Sequence, residues 1–278
     1  MPQMMVCYSK LARRPQGMLW PSDFKADIQK VIDPEERSVK RYGRPWRFSQ
    51  PKISDEYIFG KLGFIASGVE TKPFYDEKKL DFIQQTIDTP LTNFALFAID
   101  LSNHILAFEI KPPDIKYQSF RGAFEKFLSL HPSLNLEIED FVEREKFIAW
   151  VDDVERITLF KATLRIPNPH WAGHPKWIQD FLRNTGADKG KIELDKSKDS
   201  TGSLKTKQTI IEDAVKYGED GYSDIFARGE KGQRPVIFDS RKSSPSDEVV
   251  VAKDITDESK LKHITDLLNK FILRKYKK

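Results

Sequence analysis

Two mostly apolar runs, Asn93 to Asp100 and His104 to Lys111, are separated only by Leu-Ser-Asn. A link that short cannot carry the long crossover that parallel strands need, so the runs can pair only as an antiparallel hairpin. After the Pro112-Pro113 break the apolar period becomes helical. Phe120, Phe124, Phe127 and Leu128 form one stripe, which Ser119 is expected to cap and Pro132 to end. A second hairpin is expected at Tyr222 to Arg228 against Arg234 to Asp239, across Gly229-Glu-Lys-Gly232. Hairpins mixed with helices argue against a doubly wound parallel sheet and place the chain in the α+β class.

The remaining segments fit that class. Met4 to Leu11 predicts a strand, and Pro21-Ser22 opens a helix bearing Phe24, Ile28, Val31 and Ile32, with Ser22 as its N-cap and Pro34 as its stop. The stretch 34–56 shows neither period and is expected to be a long basic loop. Tyr57 to Gly68 and Leu134 to Phe141 predict strands, and Asp76 to Ile87 a short helix. In the second half, Arg156 to Ile166 predicts a strand that stops at Pro167. Trp177, Ile178, Phe181 and Leu182 predict a helix running to Gly186, and Lys191 to Leu194 another strand. Asp195 to Gly202 reads as a polar loop, Thr206 to Tyr217 as a helix closed at Gly218, and Glu248 to Lys253 as a strand. Leu261, Ile264, Leu268, Phe271 and Ile272 mark a last helix. The expected organisation is two mixed sheet-and-helix halves, 1–150 and 151–245, with a boundary near 142–156. A Ser/Lys/Pro-rich linker from Asp239 to Asp247 precedes a strand and helix in 246–278.

With 39% hydrophobic and 32% charged residues, the composition is that of a foldable chain rather than a disordered one. The longest apolar runs fall well short of the roughly 20 residues a spanning helix needs. The single cysteine, Cys7, excludes an internal disulfide and is expected to be a small buried residue. With no apolar signal segment among the first residues, a cytoplasmic location is the expectation.

Charge is unevenly placed. Residues 1–52 hold 11 basic and 5 acidic side chains, and 270–278 hold five basic and none acidic, so the middle is acidic overall. The segment Arg37-Ser-Val-Lys-Arg-Tyr-Gly-Arg-Pro-Trp-Arg47 interleaves cations with aromatic rings, a mixture that suits phosphates and bases. Arg41, Arg44 and Arg47 are its candidate phosphate contacts and Trp46 its candidate stacking group. The alternative is a solvated loop anchored by Trp46. Arg228, Lys231 and Arg234 on the second hairpin, and Arg274 and Lys275 in the last helical turn, are further candidates for contact with DNA. For each the plain alternative is an ordinary solvated turn or helix end.

Three residues give a weaker catalytic pattern. Asp100 followed by Glu109-Ile-Lys111 resembles the Asp and Glu-x-Lys of restriction-type nucleases, in which carboxylates hold Mg²⁺ and the Lys assists water. Asp is equally at home opening a tight turn, and Glu-x-Lys arises readily by chance in a charged chain. His170 and His174 have ligand spacing, but Gly and Pro in that segment argue against the helix a metal site would need. Without a phosphate loop, dinucleotide fingerprint or nucleophile elbow, the sequence calls for no cofactor or metal, and whether the chain is an enzyme stays open, leaning towards not.

The order of segments carries a resemblance. Ile157-Thr-Leu-Phe-Lys-Ala-Thr-Leu-Arg-Ile-Pro-Asn-Pro169, the helix ending Asn184-Thr-Gly-Ala-Asp188, Ile210-Ile-Glu-Asp-Ala-Val-Lys-Tyr-Gly218 and Tyr222-Ser-Asp-Ile-Phe-Ala-Arg-Gly229 resemble the RexA phage-exclusion family and uncharacterised bacterial proteins from phage-defence contexts. The match covers roughly 57–240 and brings no catalytic motif. It implies a fold similar to the recombination regulator RdgC, and a homodimer that binds DNA with little sequence preference. Such a protein would act as sensor or regulator in abortive infection, with a partner defence protein such as a membrane effector. The readings that compete with this one are a Mg-dependent nuclease and a protein-interaction module working through the acidic middle.

Overall fold

A computed structural model describes residues 2–13, 23–33, 35, 38–49, 51–66, 69–76, 81–88, 91–166, 175–196, 202–232, 234–242 and 244–276. In chain order the first part holds β1 (Gln3–Arg13), α1 (Phe24–Val31), β2 (Val39–Arg41), β3 (Arg44–Phe48), β4 (Lys52–Ile53) and β5 (Tyr57–Ala66). Next come β6 (Val69–Asp76), β7 (Asp81–Asp88), β8 (Leu91–Asp100), β9 (Ile105–Ile110), α2 (Tyr117–Leu128) and β10 (Leu136–Asp140). Then follow α3 (Arg144–Asp153), β11 (Arg156–Arg165), α4 (Lys176–Asn184), β12 (Lys189–Asp195) and α5 (Ile210–Glu219). The last elements are β13 (Ser223–Lys231), β14 (Arg234–Asp239), β15 (Ser246–Val250) and α6 (Asp257–Tyr276). The fold is α+β, with antiparallel pairing throughout.

The larger sheet runs β10-β1-β9-β8-β5-β3-β2, with β15 also paired to β1 and β4 to β5. Both of its faces are covered. On one side Ile28 and Val31 of α1 and Phe120, Phe124 and Phe127 of α2 meet Leu11, Phe97, Leu106 and Phe108. There the rings of Phe108 and Phe120 stack with centroids 4.1 Å apart. On the other side Ile264, Leu268 and Phe271 of α6 meet Met4, Val6, Tyr8 and Ala107, and Tyr8 stacks on Phe271 at 4.2 Å. Two-sided burial is why β8 and β9 read as continuous apolar runs rather than alternating ones. β15 and α6 therefore build onto the larger sheet, through Gln3–Cys7 of β1.

The smaller sheet runs β12-β11-β13-β14. Phe160, Ala162 and Leu164 of β11 and Ile225 and Ala227 of β13 pack beneath Phe147 of α3, Ile178 and Leu182 of α4 and Ile211 and Val215 of α5. α3 occupies the stretch in which a boundary was expected. Charged and polar groups join the two sheets: Arg165 at the end of β11 pairs with Asp224 and lies 3.8 Å from Glu139 of β10. Val142 N–H donates to the Gly218 carbonyl at 2.8 Å.

Several sequence expectations need correction. The 34–56 loop contains a hairpin, because Tyr42 and Gly43 both take positive φ (51° and 76°), which makes the tight turn, while Val39, Trp46 and Phe48 point inward. Where a helix is expected over Asp76 to Ile87, Asp76 ends β6 and the residues from Asp81 form β7, paired residue for residue with β6. Its β-branched Ile83, Thr86 and Ile87 favour the extended chain once a partner strand is beside it. Asp23 is the N-cap of α1, its side chain accepting from Lys25 N–H at 2.9 Å; Ser22 lies outside the described residues. Ser119 sits in the first turn of α2, accepting from Lys116 N–H at 2.8 Å rather than preceding the helix. His170 and His174 also lie outside the described residues. Among those described, no helix is long and apolar enough to cross a membrane.

Candidate nucleic-acid interface

Alternation along β11 and β13 sends Phe160, Ala162, Ile225 and Ala227 into the core, so their neighbours must point the other way. The outward residues are Lys161 and Thr163 on β11 and Asp224, Phe226 and Arg228 on β13. The helices that pack on this sheet through apolar side chains, α3, α4 and α5, lie on its other face. The outward face holds a depression of about 430 Å³ lined by Lys161, Thr163, Asp224, Phe226, Arg228 and Arg241, together with Leu159 and Ile225.

Register fixes what stands next to what. Lys161 lies between Glu193 of β12 and Phe226 of β13, and Arg228 between Leu159 of β11 and Ile237 of β14. Most charges on the face are already matched: Lys161 with Glu193 at 2.7 Å, Arg241 with Asp239 at 3.2 Å, and Arg165 with Asp224. The Arg228 guanidinium and the Lys191 ammonium, both exposed, form no ion pair among the described residues. With Ile237 55% exposed and Phe226 half-buried, the face offers apolar surface beside unmatched cations.

The β2–β3 turn packs against α2. Tyr42, 57% exposed, donates its hydroxyl to the Gln118 carbonyl of α2 at 3.1 Å, and the Arg41 guanidinium is 5.0 Å from the Tyr42 ring. Glu125 of α2 feels both Arg41 and Asp224; burial raises its carboxyl, Arg121 and Arg41 oppose that, and Glu137 and Asp224 reinforce it. Arg44 lies 4.3 Å over the Phe64 ring and Arg47 is exposed. Trp46 is 1% exposed, its indole N–H donating to the Arg41 carbonyl at 3.2 Å. Its ring faces are filled by the core, so it anchors the hairpin and presents no face to a base.

The remaining cations are dispersed. Lys231 pairs with Asp153, and Gly232 N–H donates to Glu155 at 3.1 Å, so the tip of the second hairpin docks on the acidic end of α3 while Arg234 stays exposed. Arg274 pairs with Asp247, and the Lys275 ammonium donates to the Glu219 carbonyl. Both lie on α6, across the larger sheet from α2, and so do not share a surface with Arg41.

The nuclease constellation does not assemble. β8 and β9 place Asp100 opposite Ile105 and Phe97 opposite Phe108, so Asp100 and Glu109 are about four residues apart along the ladder, roughly 13 Å. Asp100 instead accepts from Asn103 N–H at 2.5 Å and Asn103 Nδ2 at 2.9 Å, closing its turn. Glu109, 4% exposed, sits beneath α6 within 3.3 Å of Lys111 and 3.7 Å of Lys260, and Lys111 also donates to the Phe94 carbonyl at 2.7 Å. No group of His, Cys, Asp or Glu that could hold a metal ion occurs among the described residues. Phe226, Lys161, Lys191 and Arg241 escape a reading of charge runs. The signal that finds them is alternation, Phe226 and Arg228 sharing one face of a strand whose other face is apolar.

The family described as "Domain of unknown function (DUF4747)" matches residues 34–268. No curated protein matches the chain.

Proposed function

The chain belongs to the DUF4747 family, and on that premise we propose that it is a nucleic-acid-binding component of a bacterial antiphage defence system. The family match spans the elements from β2 into α6 and so takes in the smaller sheet and the larger one but for β1. The observation that carries the binding reading is Arg228, an exposed guanidinium without an ion-pair partner among the described residues, beside Phe226 on the sheet face opposite α3, α4 and α5. Lys161 and Arg241 line the same depression, and Lys191 lies farther along the face on β12, roughly 17 Å from Arg228 between backbones. Such a face favours phosphates through charge and tolerates any sequence, because nothing on it reads base edges in a fixed pattern.

The defence role, the homodimer and a partner defence protein rest on the likeness of segment order to the RexA phage-exclusion family. A sensor of phage nucleic acid needs affinity for the polymer more than for one sequence, which the composition of this face supports. Three phosphate contacts, at Arg228, Lys191 and Lys161, imply a salt slope of about −2 to −3 and a loss of affinity of roughly twentyfold to fortyfold between 50 and 200 mM salt.

The test is a gel-shift titration of the purified protein on DNA and RNA at those two salt concentrations, with Arg228→Glu and Lys191→Glu beside the wild type. Binding that weakens with salt and is lost in Arg228→Glu supports the reading. An absent or salt-independent shift removes it. Light scattering of the same sample reports the oligomeric state.

A further inference from the structure

The width of the face described above bears on which form of nucleic acid could lie on it. Neighbouring strands lie about 4.8 Å apart, so four strands with their side chains make a surface roughly 20 Å across. A duplex major groove is about 12 Å wide and admits a helix or a two-stranded ribbon. This sheet cannot enter it. Phe226 lies on β13, an inner strand, half-buried in the lining of the depression, and the bases of a duplex are stacked inside it, out of reach of such a ring.

Resting on the nucleic-acid reading, we infer that the ligand is single-stranded, with an unstacked base lying on Phe226 and its flanking phosphates held at Arg228 and Lys161. Lys161 stands directly across from Phe226 on β11, about 5 Å away between backbones, and Arg228 is two residues on along β13, about 7 Å away. A cation therefore stands on each of two sides of the ring, within reach of one nucleotide. Every base has a π face, so stacking here is tolerant of sequence, and the exposed Ile237 extends the apolar surface towards the next base. Charge complementarity comes from Arg228 and Lys191. Glu193, exposed at the rim, can release Lys161 to a phosphate.

The experiment is fluorescence anisotropy with a labelled 20-nucleotide single strand and a duplex of the same sequence, read for wild type, Phe226→Leu, Phe226→Trp and Arg228→Glu. The single strand should bind at least tenfold tighter than the duplex. Phe226→Leu, which keeps apolar volume but has no π face, should lose about tenfold for the single strand, and Phe226→Trp should retain it. Circular dichroism melts of the same variants show that each is folded. Duplex binding equal to or tighter than single-strand binding, still dependent on Arg228, overturns the single-strand inference and leaves the nucleic-acid reading standing. So does single-strand affinity unchanged in Phe226→Leu. Failure of both ligands to bind the wild type overturns both.

Discussion

The Lys10 ammonium, 5% exposed in β1 of the larger sheet, donates to the Tyr222 hydroxyl at 2.8 Å and lies 4.0 Å from the centroid of the Tyr222 ring, just ahead of β13 in the smaller one. It also donates to the Asp220 carbonyl at 3.2 Å. A buried cation of one sheet is thus solvated by groups of the other, and separating the sheets would force the ammonium to find water instead. Tyr222→Phe keeps the ring and removes an acceptor for a buried charge. It should destabilise the protein by about 1–3 kcal/mol, read from the midpoint of urea unfolding. A midpoint equal to wild type would mean that water or another group replaces the hydroxyl.

Asp140 gives a pH dependence. Its carboxylate accepts from Tyr117 and pairs with Arg121 at 3.0 Å, yet burial dominates and raises its pKa to about 6, above the usual carboxylate value. Because the folded state holds the proton more tightly than the unfolded one, this group's stabilisation is present at pH 4 and is lost as the pH rises through about 6. Unfolding midpoints of wild type and Asp140→Asn, followed from pH 4.5 to 7.5, should diverge, the wild type losing stability relative to the variant as pH rises. Parallel curves would remove Asp140 as the source.

Gly218 tests the close approach between the end of α5 and the chain leaving β10. A Cβ added there would fall 2.4 Å from Val142 Cγ2 and 2.9 Å from the Ser223 carbonyl oxygen. The second neighbour is backbone and cannot rotate aside. Gly218→Ala should cost about 1–3 kcal/mol by overpacking, seen as a lowered thermal midpoint.

Cys7, 4% exposed in β1, has its thiol pushed up to about 12 by burial. A thiol so protonated and so enclosed should not react with a disulfide reagent in the native protein at pH 8, and should react fully in denaturant. Rapid labelling without denaturant would show that β1 opens locally.

The hairpin Asn93 to Lys111, the Phe120 stripe and the strands around Arg156 and Tyr222 were legible because period and punctuation agreed in each. The β2–β3 hairpin was not, because Tyr42-Gly43 is an unusual turn pair and the basic residues around it hid the inward set Val39, Trp46 and Phe48. β7 was misread as helix because its character depends on a partner strand that local sequence does not display. Charge counting marks Arg41, Arg228, Lys231, Arg274 and Lys275 alike, since composition cannot show which cations have a carboxylate or carbonyl waiting for them. Trp46 carried the same ambiguity, as a ring beside arginines serves equally well as core or as platform.

One edge of β1 is shared in succession, by β15 along Gln3–Cys7 and by β10 along Ser9–Arg13. The register sets Met5 against Glu248, so on a ribosome this first strand must wait for a segment made about 240 residues later, roughly 12 to 50 s at 5–20 residues per second. Throughout that interval half of its backbone edge is open, and Met4, Val6 and Tyr8 lack the cover of α6. A nascent chain held in that condition offers an unpaired strand to any passing partner, so the yield of this protein in cells should depend on how well that edge is sheltered until β15 and α6 have been made.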